Sequence, residues 1–324
     1  MAGLRGNTAW LMYQKQTVKG TPATVEALKA FKSPYVGGAI APTREFDQLA
    51  ETDSNRDQGV SFVKTGGVSG NPEVYVRDAS IGAFLFYVLG ADAVTGAANY
   101  THTITAAQSI PYVTFWNDLS DTLFERHQDC FLSSLEVKTS AGQPLTAQAN
   151  IMGLKSTRLT SDPSTSPVIS LQNGYVYNYN NATVTLGGGA TALISSMDLT
   201  IDNNVTVQQT DDFLPYDVVV GQRQISLSFD IIFETLAEYN KFHYGGESGT
   251  EISNQIFTTS ADFQFDNGAN NQVKFTLPTI AYEEFPVAPD ASGAPITASV
   301  RAVGQRPTSG SIITAVVKNQ VASY

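Results

Sequence analysis

Residues 142–153, Gly-Gln-Pro-Leu-Thr-Ala-Gln-Ala-Asn-Ile-Met-Gly, decide the fold, because a related stretch occurs about half a chain later. Residues 293–304 read Gly-Ala-Pro-Ile-Thr-Ala-Ser-Val-Arg-Ala-Val-Gly, and both terminal glycines, the proline, the threonine and the following alanine are identical. In each copy a Gly-x-Pro turn leads into alternating apolar and polar residues, which is the pattern of a half-buried β-strand. The chain therefore carries one strand motif twice.

A second repeated unit lies upstream of each copy. A short strand leads into an apolar helical stripe over residues 81–88, which ends at Gly90. A strand before residue 234 likewise leads into a stripe over residues 236–242 and a glycine pair, and Thr235-x-x-Glu238 has the spacing of a capping box. Two motifs in the same order, at nearly the same separation, indicate a tandem duplication.

Length and composition agree with two β-rich domains. The 324 residues suffice for two cores, and Val, Thr, Ile, Tyr, Phe, Gly, Asn and Ser are the prominent residue types. We predict a mainly β fold with two tandem β-sandwich or barrel domains, each with one short flanking α-helix. The predicted division is an N-terminal arm (1–30), a first domain (31–156), a linker with a hairpin (157–189), a second domain (190–318) and a C-terminal tail (319–324). The hairpin pairs residues 175–177 with residues 184–186.

Charge excludes some functions. The net charge is −11, and 15 acidic but only 6 basic residues follow residue 189. Such a surface argues against a protein that grips nucleic acid, because phosphate binding relies on clustered Lys and Arg. The longest apolar run, residues 81–91, is too short to span a bilayer, and no signal peptide is visible. We expect a protein made in a cytoplasm, with no membrane partner.

The sequence carries no recognisable catalytic or metal-binding pattern. The three histidines are far apart and lack ligand spacing, and the single cysteine has apolar neighbours. No nucleophile elbow or phosphate loop occurs, and adjacent acidic residues are typical of solvated loops. We therefore expect a protein that is not an enzyme and that has no cofactor and no metal. The residues considered are His102, His127, His243, Cys130, Asp211–Asp212 and Glu283–Glu284.

Two loops occupy the same place in the two repeats. Residues 45–58 are polar and acidic, whereas residues 208–218 place four consecutive apolar or aromatic residues among acidic ones. Leaving such a cluster in water costs about 25 cal/mol per Å² of apolar surface, which favours a partner that covers it. The alternative is that the cluster folds back onto its own domain. The candidate contact residues are Asp211, Asp212, Phe213, Leu214, Pro215, Tyr216 and Asp217.

Several segments resemble the tail tube (major tail) proteins of long-tailed, siphovirus-type bacteriophages. They are the turn Lys19-Gly20-Thr21-Pro22-Ala23, the strand over residues 195–203, the strand and helix over residues 224–246, the late Pro-Ile-Thr-Ala strand and the closing Val316-Val317-Lys318-Asn319. The resemblance covers most of the chain and rests on patterns of strand and turn. The insert at residues 157–190 departs from it, since a minimal tube domain has none.

The resemblance implies a structural virion protein. Members of this family form β-sandwiches that assemble into stacked rings around a channel for DNA, and single-domain members form hexameric rings. Two tandem domains would build the same ring from three chains, with the loops 45–58 and 208–218 meeting the next ring. The implied partners are other copies of the chain, the tape measure, tail tip and terminator proteins, and DNA in transit. The implied location is the virion tail, after assembly in the bacterial cytoplasm.

Two other functions fit the composition. A surface β-sandwich that binds carbohydrate or a receptor could use some of the 14 Tyr and 17 Phe residues as a sugar-binding surface, although aromatic residues also fill cores. A polysaccharide-degrading enzyme would need paired carboxylates brought together by folding. Tubes or rings in the electron microscope would support the first function, and dispersed monomers that bind glycans would support the second.

Overall fold

The computed structural model describes residues 6–51, 57, 59–120, 122–188, 193–232, 236–268, 270–287 and 295–324. Over these residues the chain is mainly β, with two α-helices, α1 (Ile81–Leu89) and α2 (Ala237–His243). The strands of the first half are β1 (Trp10–Lys15), β2 (Phe31–Pro34), β3 (Ile40–Gln48), β4 (Ser61–Gly70), β5 (Glu73–Tyr75), β6 (Gly90–Thr95), β7 (Tyr100–Ala106), β8 (Val113–Asp118), β9 (Phe124–Ser140), β10 (Thr146–Gly153) and β11 (Lys155–Leu159). Those of the second half are β12 (Ala182–Leu186), β13 (Ile194–Asp202), β14 (Thr206–Gln208), β15 (Asp217–Val219), β16 (Gln224–Ile232), β17 (Thr258–Asp266), β18 (Gln272–Glu284), β19 (Thr297–Gly304) and β20 (Thr314–Asn319). The predicted fold class, two β-sandwich domains with one helix each, is confirmed.

The two halves use the same strand order. In the first, β3, β4 with β5, β10 and the second half of β9 form one layer, and β1, β8, the first half of β9 and β11 form the other. In the second, β13, β16, β19 and the end of β18 correspond to the first layer. The strands β12, β17, the start of β18 and β20 correspond to the other. In both halves one long strand serves both layers.

A repeated irregularity confirms this correspondence. The pairing of β9 with β10 shifts register between Asn150 and Ile151, because β9 carries one extra residue there. The pairing of β18 with β19 shifts between Tyr282 and Glu284, again with the extra residue on the long strand. A β-bulge bends its strand and increases the twist, so both long strands turn from one layer to the other at the same point.

Two pairings join the domains into one structure. The second half of β9 pairs with β13 over residues 134–140 and 196–202, which makes the first layers of both domains one continuous sheet. The second pairing joins β7 of the first half to β20 of the second half. The hairpin β6–β7 thereby extends the layer that contains β12, β17, the start of β18 and β20. The continuous sheet runs in the order β3, β4, β10, β9, β13, β16, β19, β18.

The two helices differ in burial. Every residue of α1 is buried, and the helix ends at Gly90 with a left-handed φ of 100°, as the glycine stop predicts. Helix α2 is mostly half-buried and begins after Leu236, which makes no side-chain capping hydrogen bond. Thr235 of the predicted capping box lies outside the described residues. No helix in the described ranges combines the length and the apolar character that a membrane crossing needs.

Three terminal or linking segments are more integrated than the sequence suggests. Strand β1, within the predicted N-terminal arm, is buried from Trp10 to Gln14 and pairs with both β2 and β8. The predicted hairpin between residues 175–177 and 184–186 is wrong, because β12 pairs with β17 of the second domain. The final residue, Tyr324, packs against α1 at Gly82. Long-range partners therefore override the local sequence patterns in each case.

Candidate assembly surfaces

The continuous sheet has one apolar and one polar face. Along β10, β13, β16 and β19, alternate residues are buried and face the core, as predicted for residues 142–153. The alternate positions point away from the core and are mostly Ser, Thr, Asn, Gln or charged. We call this surface the polar face. Its residues on β9, β10, β13, β16 and β19 are Glu136, Lys138, Thr146, Gln148, Asn150, Ser196, Asp198, Thr200, Asp202, Ser226, Ser228, Asp230, Thr297, Ser299 and Arg301.

Acidic groups outnumber basic groups on the polar face. The basic side chains on this surface are Lys138 and Arg301. The acidic side chains are Glu136, Asp198, Asp202, Asp230 and Glu73 of β5. Lys138 lies 3.6 Å from Glu136, and Arg301 lies 3.6 Å from Glu284 at the end of β18. Partial burial, together with the neighbouring Glu136 carboxylate, raises the pKa of Asp198. The polar face therefore carries a net negative charge.

The polar face carries a groove at the junction between the domains. Side chains from β5, β9, β10, β13, β16 and β19 border a groove of about 690 Å³ that crosses the junction between the domains. Asp230 lies in this groove, where its carboxylate accepts hydrogen bonds from Ser196 at 2.7 Å and Ser299 at 2.6 Å. The hydroxyl groups therefore fix one carboxylate between three adjacent strands.

The loop 208–218 forms the tip of a hairpin and contacts the first domain. Strands β14 and β15 pair, and the backbone N–H of Gly66 on β4 donates to the Phe213 carbonyl at 3.0 Å. A Cβ atom at Gly66 would lie 2.5 Å from the Phe213 ring, so glycine makes this close approach possible. The loop therefore joins the domains.

The base of this hairpin is held by an ionic network. Asp217 accepts from Lys19 at 2.7 Å and from the Tyr112 hydroxyl at 3.0 Å. Burial opposes the ionisation of Asp217, but Lys19 and the hydrogen bonds outweigh it and lower its pKa. Burial and the contact with this carboxylate raise the pKa of Tyr112 to about 12. The Lys19 ammonium also lies 4.7 Å from the centre of the Tyr216 ring, a cation–π contact.

The seven candidate contact residues lie together at this tip. Asp211, Asp212, Phe213 and Tyr216 are exposed, whereas Pro215 is buried and Leu214 and Asp217 are half-buried. Phe213 exposes 46% and Tyr216 exposes 65% of its surface. The cluster therefore folds back in part, and two aromatic side chains still present apolar surface to solvent.

The first domain presents a larger apolar surface, which sequence analysis missed. We call residues 44–51 and 59–64, the outer ends of β3 and β4, the hairpin arm. Phe46 is 69% exposed and Val60 is 76% exposed, and Leu49, Phe62 and Val63 are also exposed. The polar character of residues 45–58 hides Phe46 and Leu49, and the signal that could have identified the arm is these two residues together with Val60, Phe62 and Val63 just after that range.

The candidate catalytic and metal-binding residues are dispersed. His102 is buried between Asp92 and the Val321 carbonyl, at 2.8 Å from each. His127 is buried with Nε2 at 2.6 Å from Asn117, and burial lowers its pKa to about 4. Cys130 is also buried, and burial raises the pKa of its thiol. Each of these groups packs inside the fold. His243 lies on α2, where its ring packs against Tyr239.

Comparisons with known proteins identify one family. A family model described as "Phage tail tube protein" matches residues 6–309, nearly the whole chain. No curated protein matches the chain. The matched range includes both sandwich domains, the polar face and the loop 208–218.

Proposed function

Because the chain belongs to the phage tail tube protein family, we propose that it polymerises as stacked rings into the tail tube and forms the conduit for DNA delivery. The observation that carries this proposal is the net-acidic polar face, which runs across both domains on one continuous sheet. Such a surface suits a channel for DNA, because an acidic wall repels phosphate, whereas a basic wall binds it. The family is structural, so the chain's role is assembly and not catalysis.

Ring closure would repeat the junction that the chain already contains. Within the chain, the end of β9 pairs with β13 and joins two domains edge to edge. When the strands of the two domains are matched, the end of β18 is equivalent to the end of β9. The edge strand β3 is equivalent to β13. Among the described residues β3 pairs with β4 alone, and Ala41 to Gln48 are exposed. We infer that β3 of one chain pairs with the end of β18 of the next.

The expected register follows from the repeated ladders. The register can be followed outward from each β-bulge across the paired strands. In the first domain it leads from β10 through β4 to Ile40, and in the second domain it leads from β19 through β16 to Leu199. Ile40 therefore occupies the position of Leu199. Thr43 is therefore equivalent to Asp202. Asp202 pairs with Ser134 inside the chain, and the equivalent residue of Ser134 after the second bulge is Glu284. Thr43 of one chain should oppose Glu284 of its neighbour.

The number of chains in a ring follows from the duplication. Each chain supplies two domains that the internal junction already places side by side. If each ring holds six such domains, as the resemblance implies, three chains close it with pseudo-sixfold symmetry. The proposed domains keep the boundaries 31–156 and 190–318 for their central parts, and the strand pairings favour adding β1 to the first and β12 to the second.

The loop 208–218 is the proposed contact with the neighbouring ring. Phe213 and Tyr216 keep exposed aromatic surface at a hairpin tip, and Asp211 and Asp212 flank them. The variant Phe213→Ser/Tyr216→Ser tests this role. We expect unchanged circular dichroism and tubes that shorten to single rings or monomers. Polymerisation equal to that of the parent, or unfolding of the variant, would rule the contact out.

The wider assembly follows from the same family. We propose that the tube contacts the tape measure, tail tip and terminator proteins, that DNA passes through it without sequence-specific contacts, and that assembly occurs in the bacterial cytoplasm before the protein becomes part of the virion tail. These partners meet the inside or the ends of a tube, which are the surfaces left when rings stack.

Electron microscopy of concentrated protein tests the proposal. Tubes or closed rings are the expected result. Dispersed monomers that bind immobilised glycans would instead support the carbohydrate-binding alternative, for which exposed Tyr75 beside the groove is the aromatic candidate.

A further inference from the structure

A small apolar cluster holds the hairpin of the second domain on the first domain. Val205 and Val218, at the base of the hairpin 203–220, are buried against Ile110, Phe131 and Leu154. Met152 and Val220 pack against the same cluster. The hairpin 203–220 follows β13, which is the edge strand of the second domain. The hairpin therefore docks on the first domain, on the side where β13 pairs with β9.

The hairpin arm is the equivalent element of the first domain, but nothing in its own chain covers it among the described residues. Counted along β3 from Ile40, Phe46 occupies the position of Val205. Val205 exposes 7% of its surface, whereas Phe46 exposes 69%. The hairpin arm therefore has an apolar residue at the equivalent position, but no described residue of the same chain covers it.

The surface that would cover the arm exists on the second domain. Val303 pairs with Ala281 one step before the second bulge, as Met152 pairs with Phe131 beside the first. Val303 lies in an open groove of about 860 Å³, which we call the end groove, together with Val220, Ile225, Ile312 and Arg306. The end groove thus occupies the place where, on the first domain, the loop 208–218 is seated.

We propose that the hairpin arm of one chain docks in the end groove of a second copy of the chain, with Phe46 against Val303. This proposal rests on the proposed ring, because pairing of β3 with the end of β18 brings the two surfaces together. The seated hairpin of the second domain is the internal template for the contact, and the two contacts alternate around the ring.

Charge supports this choice of occupant. The described part of residues 44–64 carries Glu45, Asp47, Glu51 and Asp57 against two basic residues, Arg44 and Lys64. The end groove carries Arg223, Arg301 and Arg306 against Asp202 and Glu283. Because Arg301 is paired with Glu284, the groove is close to neutral, so an arm with excess negative charge is repelled less by the groove than by a second arm.

Mixed single-cysteine variants test the contact between chains. Chains with Phe46→Cys are mixed with chains with Val303→Cys, assembled and oxidised, and Cys130 is buried and stays out of the reaction. The expected product is a disulfide-linked dimer that forms in the mixture and in neither variant alone. The matched control replaces Phe46→Cys with Ile252→Cys, a still more exposed position outside the arm, and should give no dimer. Equal yields from the two mixtures would overturn the proposal.

A second variant separates this contact from the ring itself. Phe46→Ser/Phe62→Ser removes exposed side chains, so the chain should melt like the parent, and its rings should dissociate at protein concentrations at least tenfold higher. The control Leu28→Ser/Ile252→Ser removes two apolar side chains elsewhere that are more exposed, and should leave ring stability unchanged. Rings as stable as those of the parent would overturn this contact while leaving the tube function intact. A parent that forms neither rings nor tubes would overturn the proposed function as well.

Discussion

The backbone N–H of Gly66 donates a hydrogen bond to the carbonyl oxygen of Phe213 at 3.0 Å, and this bond ties the two domains of the chain together. Gly66 belongs to β4 of the first domain, and Phe213 lies at the hairpin tip of the second. A side chain at residue 66 would meet the Phe213 ring at 2.5 Å. The relationship depends on glycine at this one position.

We predict that Gly66→Val lowers the free energy of unfolding by about 1–3 kcal/mol, because the added side chain displaces the Phe213 ring and strains the hydrogen bond. Urea denaturation measures the change. The control is Gly37→Val, since a Cβ atom at Gly37 meets no atom within 4 Å. A control that loses as much stability as Gly66→Val would contradict the role of the close approach.

We predict an acid sensitivity that depends on His127. Its pKa is lowered by burial to about 4, so the folded state keeps it neutral while the unfolded state binds a proton near pH 6.5. Stability is therefore lost as the pH falls from about 6.5 to 4, by up to about 3 kcal/mol. Denaturation at several pH values should give a flatter profile for His127→Gln than for the parent. Parallel profiles for the two proteins would exclude His127 as the cause.

We predict that the polar face controls the affinity of tubes for DNA. Parent tubes should leave DNA in the supernatant on centrifugation, because the acidic face repels phosphate. Tubes of Asp198→Lys/Asp202→Lys should retain DNA at low salt and release it as salt is raised. The control Glu26→Lys/Glu251→Lys makes the same charge change at exposed positions outside the polar face. Equal retention by both variants would show that net charge, and not the face, governs binding.

We predict that Thr43→Cys/Glu284→Cys links neighbouring chains covalently. Paired strands bring opposite residues within disulfide reach, and the internal equivalent, Ser134→Cys/Asp202→Cys, should form a bond within the chain. Oxidised rings of the first variant should give a ladder on non-reducing gels that stops at three chains. A ladder that continues beyond three chains, or no link where the internal control forms one, would contradict the register.

Local patterns in the sequence predicted the elements but not their long-range partners. The alternation over residues 142–153 and the glycine stop at Gly90 each depend on neighbouring residues, and both predictions are confirmed. The pairing of β12 with β17 joins residues far apart in the chain, so the neighbouring segment 175–177 was a misleading partner. The same reason explains why strand β1 was assigned to an arm.

The placement of the loop 208–218 follows only in part from its own sequence. Its run of apolar residues shows in the sequence and predicts that something covers it. Gly66 contacts Phe213 because the pairing of β9 with β13 places the two domains side by side. The sequence of the loop does not show this pairing. The exposed residues of the hairpin arm were missed because apolar and acidic residues alternate there, as in any edge strand.

The rotational symmetry of the assembled tube, measured by cryo-electron microscopy, tests the central claim most directly. Three chains in each ring should give threefold symmetry, with six similar sandwich domains and the polar face towards the channel. Six chains in a ring, a channel lined by another face, or the absence of any closed ring would contradict the account.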